Sequence, residues 1–349
     1  MIALLIAGTV AMAVSLFGTR FLIAFFRERN LGQPILGAED HGPEQHMHKE
    51  GTPTMGGLAI LAAAAIGYVV AHARRGLVFA DQSLIIFGGV FLMAALGFID
   101  DYIKVRIRRN RGVFWKKKGW ITLGFSALIA IVLVTQTGID TRVGYTRADL
   151  PGWDLGKVGW VIWAALIIFA TVNAVNVTDG LDGLAAGTGL FGFFAFTVIA
   201  FWGFRNPDLY GAIVNPLDLA AVAVAFAGAC AGFLWWNAAP ARIIMGDVGA
   251  LGLGAALALL SLSTNTHLLL PLICGLYVME IGSVALQMGT YKLFNRRRIF
   301  RMSPIHHHFE LVGWPETTVI IRFWIISGIC VASALALYYA DFARNEGIV

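Results

Sequence analysis

Charged residues are scarce in this sequence of 349 residues: they make up only 13%, whereas hydrophobic residues make up 58%. The mean hydropathy of +0.73 excludes an ordinary soluble domain. Only three cysteines occur, each inside an apolar run and without CxxC spacing. We interpret them as small hydrophobic residues, and we expect neither a disulfide framework nor a cysteine metal site.

Two catalytic motifs are missing. The sequence has no P-loop lysine motif and no GxSxG turn, so neither ATP hydrolysis nor a serine esterase is indicated. The stretch GTGLFG at 187–192 fits the dinucleotide-binding pattern GxGxxG. It lies inside an apolar run with no preceding strand, so close packing of small residues between helices explains it better.

Long apolar runs dominate what is present, and about 20 such residues suffice to cross a bilayer. We expect the first run to be a retained span rather than a cleaved signal peptide. The pattern predicts one integral membrane domain over 1–349, an all-α polytopic protein with about ten transmembrane helices. The predicted segments are 2–26, 54–72, 83–103, 120–137, 158–176, 184–203, 218–236, 245–263, 267–289 and 319–340.

Basic residues are unevenly shared between the two sides of such a protein. Seventeen of the 26 lysines and arginines lie in loops after odd-numbered segments, and seven lie in the other loops and the C-terminal tail. Because positive residues accumulate on the cytoplasmic side, the odd loops are predicted to be cytoplasmic and both termini extracytoplasmic.

Five polar clusters interrupt the apolar sequence, and each falls in or beside an odd loop. Stray helix caps would not all share one side, so we expect a single active site at the cytoplasmic face, built from several spans. The clusters are KEGTPTMGG (49–57), GFIDDYIKV (97–105), NAVNVTDGLDG (173–183), NAAPARIIMGDVGALG (237–252) and SPIHHHFELVGWPE (303–316).

Asp100 and Asp101 end the third predicted span. Helical neighbours point about 100° apart, so we expect the two carboxylates not to share one partner. They could be solvated helix-end charges, but a helix C-terminus disfavours anions. Acids at that depth indicate a function.

The stretch 173–184 carries Asn173, Asn176, Asp179 and Asp182, where an ordinary capped turn needs only one such residue. Asp247 begins a later span and is either an N-cap or a ligand. Acids gathered beside basic loops indicate Mg²⁺ together with a phosphate, because Mg²⁺ combines one or two carboxylates with phosphate oxygens.

His306, His307 and His308 are consecutive, and three adjacent imidazoles cannot all face one metal on a regular element. The nearby arginines favour an anion-binding loop over a zinc site. A chance histidine-rich surface loop is the alternative.

These five motifs, in this order, closely resemble the phospho-N-acetylmuramoyl-pentapeptide transferases, a branch of the polyprenyl-phosphate N-acetylhexosamine-1-phosphate transferases. The resemblance covers nearly the whole chain. It implies transfer of phospho-MurNAc-pentapeptide from UDP-MurNAc-pentapeptide to undecaprenyl phosphate, giving lipid I and UMP for peptidoglycan synthesis, with Mg²⁺ as cofactor. It also implies a multi-pass protein of the bacterial inner membrane, contacts with membrane lipids, a possible homodimer and no nucleic-acid partner.

The resemblance further implies roles for residues. Asp100 and Asp101 match the paired catalytic aspartates, and Asp247 matches the metal-binding aspartate. The remaining matches are substrate-binding positions: Lys49, Thr54, Lys104, Asn173, Asn176, Asp179, Asp182, Asn237, His306, His307 and His308. Two alternatives stay open, a sibling transferase for another UDP-HexNAc sugar and a polytopic transporter that uses the acids as an ion relay.

Overall fold

The computed structural model of the protein describes residues 1–29, 31–32, 51–73, 78–107, 115–294 and 296–348. Within those ranges the chain forms ten helices of 16 residues or more: α1 (Ile2–Glu28), α2 (Gly57–His72), α3 (Asp81–Ile107), α4 (Trp115–Gln136), α5 (Gly156–Thr178), α6 (Leu184–Arg205), α8 (Pro216–Asn237), α9 (Gly246–Ser263), α11 (Gly275–Leu293) and α13 (Glu316–Asn345). Three helices are short: α7 (Pro207–Tyr210), α10 (Leu270–Ile273) and α12 (Ile305–Val312).

Each of the ten longer helices falls on one predicted apolar segment. Eight of the described helices are long and apolar enough to cross a membrane. The other two longer helices are α2, with 16 residues, and α11, which carries Glu280 and Lys292 among its 19 residues. The prediction of an all-α polytopic membrane protein is therefore confirmed, while the side that each terminus faces stays a prediction.

Three local expectations differ from the structure. The segment predicted at 267–289 is two helices, because the short α10 begins at Leu270 and Cys274 interrupts the helical backbone before α11. The third helix runs to Ile107 rather than ending near 103. A two-stranded antiparallel hairpin, β1 (Arg142–Arg147) and β2 (Leu150–Asp154), lies between α4 and α5, where no strand was predicted.

Helix α9 lies at the centre of the bundle. Every residue from Val248 to Ser263 is buried, and this helix packs against α3 and α5. Other helices carry large apolar side chains on the outside, such as Phe21 on α1 (74% exposed) and Ile329 on α13 (61% exposed). This inverted pattern suits a surface whose solvent is lipid rather than water.

Glycines let neighbouring helices approach α9 closely at one end of the bundle, which we call the site end. A Cβ at Gly97 on α3 would lie 2.3 Å from the backbone oxygen of Asp247, and one at Gly57 on α2 would lie 2.1 Å from the Cα atom of Gly249. No real Cβ tolerates such distances, so these contacts need glycine.

The opposite end of the bundle is held by its own polar contacts. Asp218 at the start of α8 accepts hydrogen bonds from the Tyr68 hydroxyl (2.9 Å), His72 Nε2 (2.9 Å) and the Ala80 N–H (3.1 Å). These bonds fasten α8 to the end of α2 and the residue before α3. The carboxylate of Asp218 is therefore satisfied within the protein.

The hairpin is fastened to α13 by a second contact at that end. The Thr146 hydroxyl (2.7 Å) and Arg147 Nε (2.9 Å) both donate to Asp341 Oδ2. Arg147 also contacts Asp149, whose side chain is 55% exposed, whereas that of Asp341 is 14% exposed. The Asp341 contact is thus the better shielded of the two.

We expect Asp341→Ala to lower the free energy of unfolding by about 1–3 kcal/mol, because it leaves a shielded arginine and a hydroxyl without their acceptor. The matched control Asp149→Ala removes a solvent-exposed partner of the same arginine and should cost less than about 1 kcal/mol. Denaturant titration in detergent measures both. Equal losses in the two variants would contradict this assignment.

Candidate active site

Three carboxylates meet at the site end. Asp100 and Asp101 project from α3 and Asp247 from the first turn of α9, and one oxygen of each lies within 4.8 Å of the others. Asp100 and Asp101 are 2% and 4% exposed, so they are not solvated helix-end charges. Asp100 pairs with Lys104 and Lys118 whereas Asp101 accepts from the Val248 N–H, yet both carboxylates lie near that of Asp247.

Backbone geometry at the start of α9 explains this convergence. Gly246 has a positive φ of 74°, and a Cβ there would lie 2.5 Å from Asp101 Oδ2 and 3.0 Å from Thr54 Oγ1. The Val248 N–H donates to Asp101 Oδ2 at 3.1 Å. Asp101 therefore accepts from a backbone N–H group at the N-terminus of α9, a position that favours an anion.

Two lysines lie between the carboxylates. Lys104 Nζ is 2.7 Å from Asp100 Oδ2 and 2.8 Å from Asp247 Oδ2, and Lys118 Nζ contacts the same two oxygens. The sequence motifs predict Lys104 as a binding residue but do not include Lys118. No signal in the sequence distinguishes Lys118 from Lys116 and Lys117, because all three lie in the first turn of α4.

The end of α5 adds amide and carboxyl groups to this cluster. The Asn176 amide is oriented with its nitrogen 3.2 Å from Asp247 Oδ1 and its oxygen 3.3 Å from Lys118 Nζ. Asp179 follows the last residue of α5 and accepts a hydrogen bond from the Gly246 N–H. Burial, followed by the charges of Asp247 and Asp101, raises the pKa of Asp179 well above its usual range.

Other predicted residues shape the surrounding loops. Asp182 accepts from the Ala241 N–H at 2.9 Å, and Asn237 donates to the Ile243 carbonyl at 2.9 Å, so both hold the connection between α8 and α9. Asn173 donates to the carbonyl of Phe169 within its own helix. Thr54 is buried beside Gly246, whereas Lys49 lies outside the described residues.

The three histidines have three different environments on or beside α12. His306 is fully buried: its Nδ1 lies 2.9 Å from Glu280 Oε2, and its Nε2 packs against Gly180. His307 Nδ1 is 2.7 Å from Glu310 Oε2, and His308 Nδ1 accepts from the Arg301 N–H at 3.1 Å. The expectation that they would not face one metal agrees with this arrangement.

Glu280 is a buried partner that sequence analysis missed. It lies on α11 inside an apolar segment, where a single acid gives no periodic signal. Through His306 it connects α11 and α12 to the turn between α5 and α6. The same turn is held by Glu316, which accepts from the Asp182 N–H at 3.1 Å.

The five sequence clusters are thus linked by direct contacts at the site end. The donor set suits a hard divalent cation, because it consists of carboxylate oxygens without sulfur or imidazole among its closest members. A carboxylate can accept at about four lone-pair sites, so the lysine contacts leave room for a metal ion on the same groups. Among the described residues this is the single acidic group with that geometry.

Comparisons with known proteins agree with the motifs. The sequence profile described as Glycosyl transferase family 4 matches residues 83–265, and that of Phospho-N-acetylmuramoyl-pentapeptide-transferase signature 1 matches residues 49–61.

Three similar proteins carry the name phospho-N-acetylmuramoyl-pentapeptide-transferase. The protein of Frankia alni is 45% identical over 98% of both chains. Those of Nocardioides sp. and Streptomyces coelicolor are 43% and 40% identical, each over 98% of this chain and 99% of the relative. Identity at this level over nearly the full length shows that the chain belongs to the phospho-N-acetylmuramoyl-pentapeptide-transferase family.

Proposed function

We propose that this protein transfers phospho-MurNAc-pentapeptide from UDP-MurNAc-pentapeptide to undecaprenyl phosphate, which yields lipid I and UMP for peptidoglycan synthesis. The observation that carries this proposal is the cluster of three carboxylates and two lysines at one end of a membrane bundle. Phosphoryl transfer needs charge neutralisation and positioning more than it needs covalent chemistry from the protein.

The location of the cluster suits the two substrates. The nucleotide cannot enter the bilayer and the polyprenyl chain cannot leave it, so their phosphates can meet only at the membrane surface. The charge bias of the loops favours the cytoplasmic side of the bacterial inner membrane for this surface. Basic residues there would also attract both anionic substrates.

We assign the metal to Asp247 with Asp100 or Asp101, and Mg²⁺ is the ion that this oxygen-rich donor set favours. When bound, the ion would neutralise charge on the diphosphate of the nucleotide sugar. Asn176 would hold the Asp247 carboxylate in place, because its amide nitrogen lies 3.2 Å from the second oxygen of that group.

The proposed reaction is a direct displacement. An oxygen of the lipid phosphate attacks the β-phosphorus of the nucleotide sugar, and the bond from that phosphorus to the UMP oxygen breaks. A phosphate monoester has a second pKa near 6, so the attacking group is largely dianionic at neutral pH and needs no strong base. Asp100 or Asp101 would position the lipid phosphate or accept its last proton.

Lys104 and Lys118 give the site the positive charge that a diphosphate requires. Each lysine contacts two carboxylates, and Lys118 also lies 3.3 Å from the amide oxygen of Asn176. We infer that an incoming phosphate shares these ammonium groups with Asp100 and Asp247. The substrate-binding roles of Thr54, Asp182, Asn237 and the histidines would then be to shape the walls of the same crevice.

A polytopic transporter is the weaker alternative. Its ion-binding charges would be expected near the middle of the membrane. Here Asp247 is the second residue of α9 and Lys118 the fourth of α4, so the charges gather at helix ends. A sibling transferase for another UDP-HexNAc sugar uses the same chemistry and must be distinguished by substrate.

The purified protein should release UMP from UDP-MurNAc-pentapeptide when undecaprenyl phosphate and Mg²⁺ are supplied, and much less from UDP-GlcNAc. UMP release can be followed by a coupled assay. Preference for UDP-GlcNAc would identify the sibling activity, and no release from either would favour the transporter.

Without the lipid, labelled UMP should not exchange into the sugar nucleotide. Such exchange would indicate a covalent phospho-aspartate intermediate instead of direct displacement.

Asp247→Asn should lower turnover by at least about 10³-fold and weaken binding of Mn²⁺, used as a spectroscopic substitute for Mg²⁺. The matched control Asp208→Asn changes an exposed carboxylate at the opposite end and should alter neither. Metal binding is measured separately by electron paramagnetic resonance. Unchanged turnover together with unchanged Mn²⁺ affinity would remove the metal assignment.

Lys118→Met should lower kcat by about 10²–10³-fold, because it removes one of two cations facing the reacting phosphates. Lys117→Met is the matched control, since Lys117 is exposed and precedes Lys118 by a single residue on the same helix. Steady-state kinetics of UMP release measure both. Equal activity of the two variants would show that Lys118 has only a surface role.

A further inference from the structure

An apolar groove lies on the outside of the bundle near the site end, between α12, the start of α13 and α11. It has a volume of about 250 Å³. Seven of its eight lining residues are hydrophobic, among them Met279, Phe309, Trp314 and Phe323, and the eighth is Arg322. The groove is therefore apolar except for one positively charged side chain in its wall.

Arg322 is held in a defined position. Its guanidinium carbon lies 4.0 Å from the ring centroid of Trp314, and Trp314 stacks on Phe309 with centroids 4.5 Å apart. Among the described residues no carboxylate lies within ion-pair distance of Arg322. A stacked guanidinium still presents its N–H donors at its edge, where an anion can accept them.

The face of α13 that carries Arg322 is turned towards lipid. Ile325 and Ile329 follow at helical spacing and are 56% and 61% exposed. Arg322 is the seventh residue of the helix, about 9 Å from its first residue. Because side chains on a helix point back towards its N-terminus, the guanidinium reaches up to Trp314, at the depth where head groups begin.

We propose that this groove is a binding site for an anionic glycerophospholipid, whose phosphate would contact Arg322 and one of whose acyl chains would lie along the apolar wall. Charge and shape both support this occupant: the phosphate supplies a counter-ion for the guanidinium, and hydrocarbon covers the remaining lining. A bound lipid would contact α11, α12 and α13 together and would thereby stabilise the position of α12.

The acceptor lipid of the proposed reaction is a poorer occupant. Its phosphate must reach the carboxylate cluster to react, whereas Arg322 contacts none of Asp100, Asp101 and Asp247 among the described residues. The proposed lipid would therefore be a structural cofactor rather than a substrate. This inference does not depend on the reaction, and its test measures binding and stability instead of turnover.

The test is a thermal-unfolding titration of the delipidated full-length protein in detergent, with phosphatidylglycerol or phosphatidylcholine added. Phosphatidylglycerol should raise the Tm of the wild-type protein at lower concentration than phosphatidylcholine does. Arg322→Gln should weaken the apparent affinity for phosphatidylglycerol by about five- to tenfold and leave the response to phosphatidylcholine unchanged.

Arg29→Gln is the matched control. Arg29 is also an exposed arginine at a helix end and also stacks on an aromatic ring, with its guanidinium carbon 4.5 Å from the Phe25 centroid, but it lines no part of the groove. This variant should respond to phosphatidylglycerol as the wild type does. An equal loss in both variants would indicate general surface attraction and overturn the site.

Two further arms keep the test decisive. If Arg322→Gln does not yield folded protein, Arg322→Lys keeps the charge but loses the planar stacking, and it should show a smaller loss of affinity. Undecaprenyl phosphate is titrated against the phosphatidylglycerol complex, and it should not displace the phospholipid. Displacement of phosphatidylglycerol by undecaprenyl phosphate would assign the groove to the acceptor lipid and overturn the proposal.

Discussion

The neutralisation of three closely spaced carboxylates by two lysines is the interaction on which the site end depends. Asp100, Asp101 and Asp247 lie so close together that their mutual repulsion would separate α3 from α9 without nearby cations. Lys104 comes from α3 itself, but Lys118 comes from α4. The charge balance therefore requires one terminus of each of α3, α4 and α9 to lie at the same place. This requirement constrains the arrangement of the whole bundle.

The same contacts fasten the fold and build the site. Asp182 holds the α8–α9 connection, Glu316 holds the Asp182 backbone, and His306 packs against Gly180. In lipid the helices gain little from hydrophobic contact with one another, so polar contacts and close glycine packing must set their arrangement. A substitution in this network is consequently expected to change both stability and chemistry, and matched controls are needed to separate the two effects.

Most of the fold could be predicted from the sequence, because transmembrane helices correspond to long apolar runs. It could not predict the break at Cys274, because hydropathy is uniform across it, or the hairpin at 142–154, which has no apolar alternation. At the site the clustered acids were recognisable, since charge is rare in such a chain. Lys118 and Glu280 could not be recognised, because Lys118 is one of three adjacent lysines and Glu280 is a single acid within an apolar helix. Their roles become visible only from contacts with residues that are distant in the sequence.

The buried pair of Glu280 and His306 shows why a histidine run is useful here. Both side chains are fully buried, and Glu280 Oε1 and His306 Nε2 have no hydrogen-bond partner among the described residues. Such a pair adds little stability by itself, because desolvation offsets its attraction. Its value lies in geometry: the carboxylate fixes the ring orientation, and the ring fixes Gly180 beside Asp179 and Asp182. The inward histidine thus orders the polar turn, while its two neighbours remain nearer the surface.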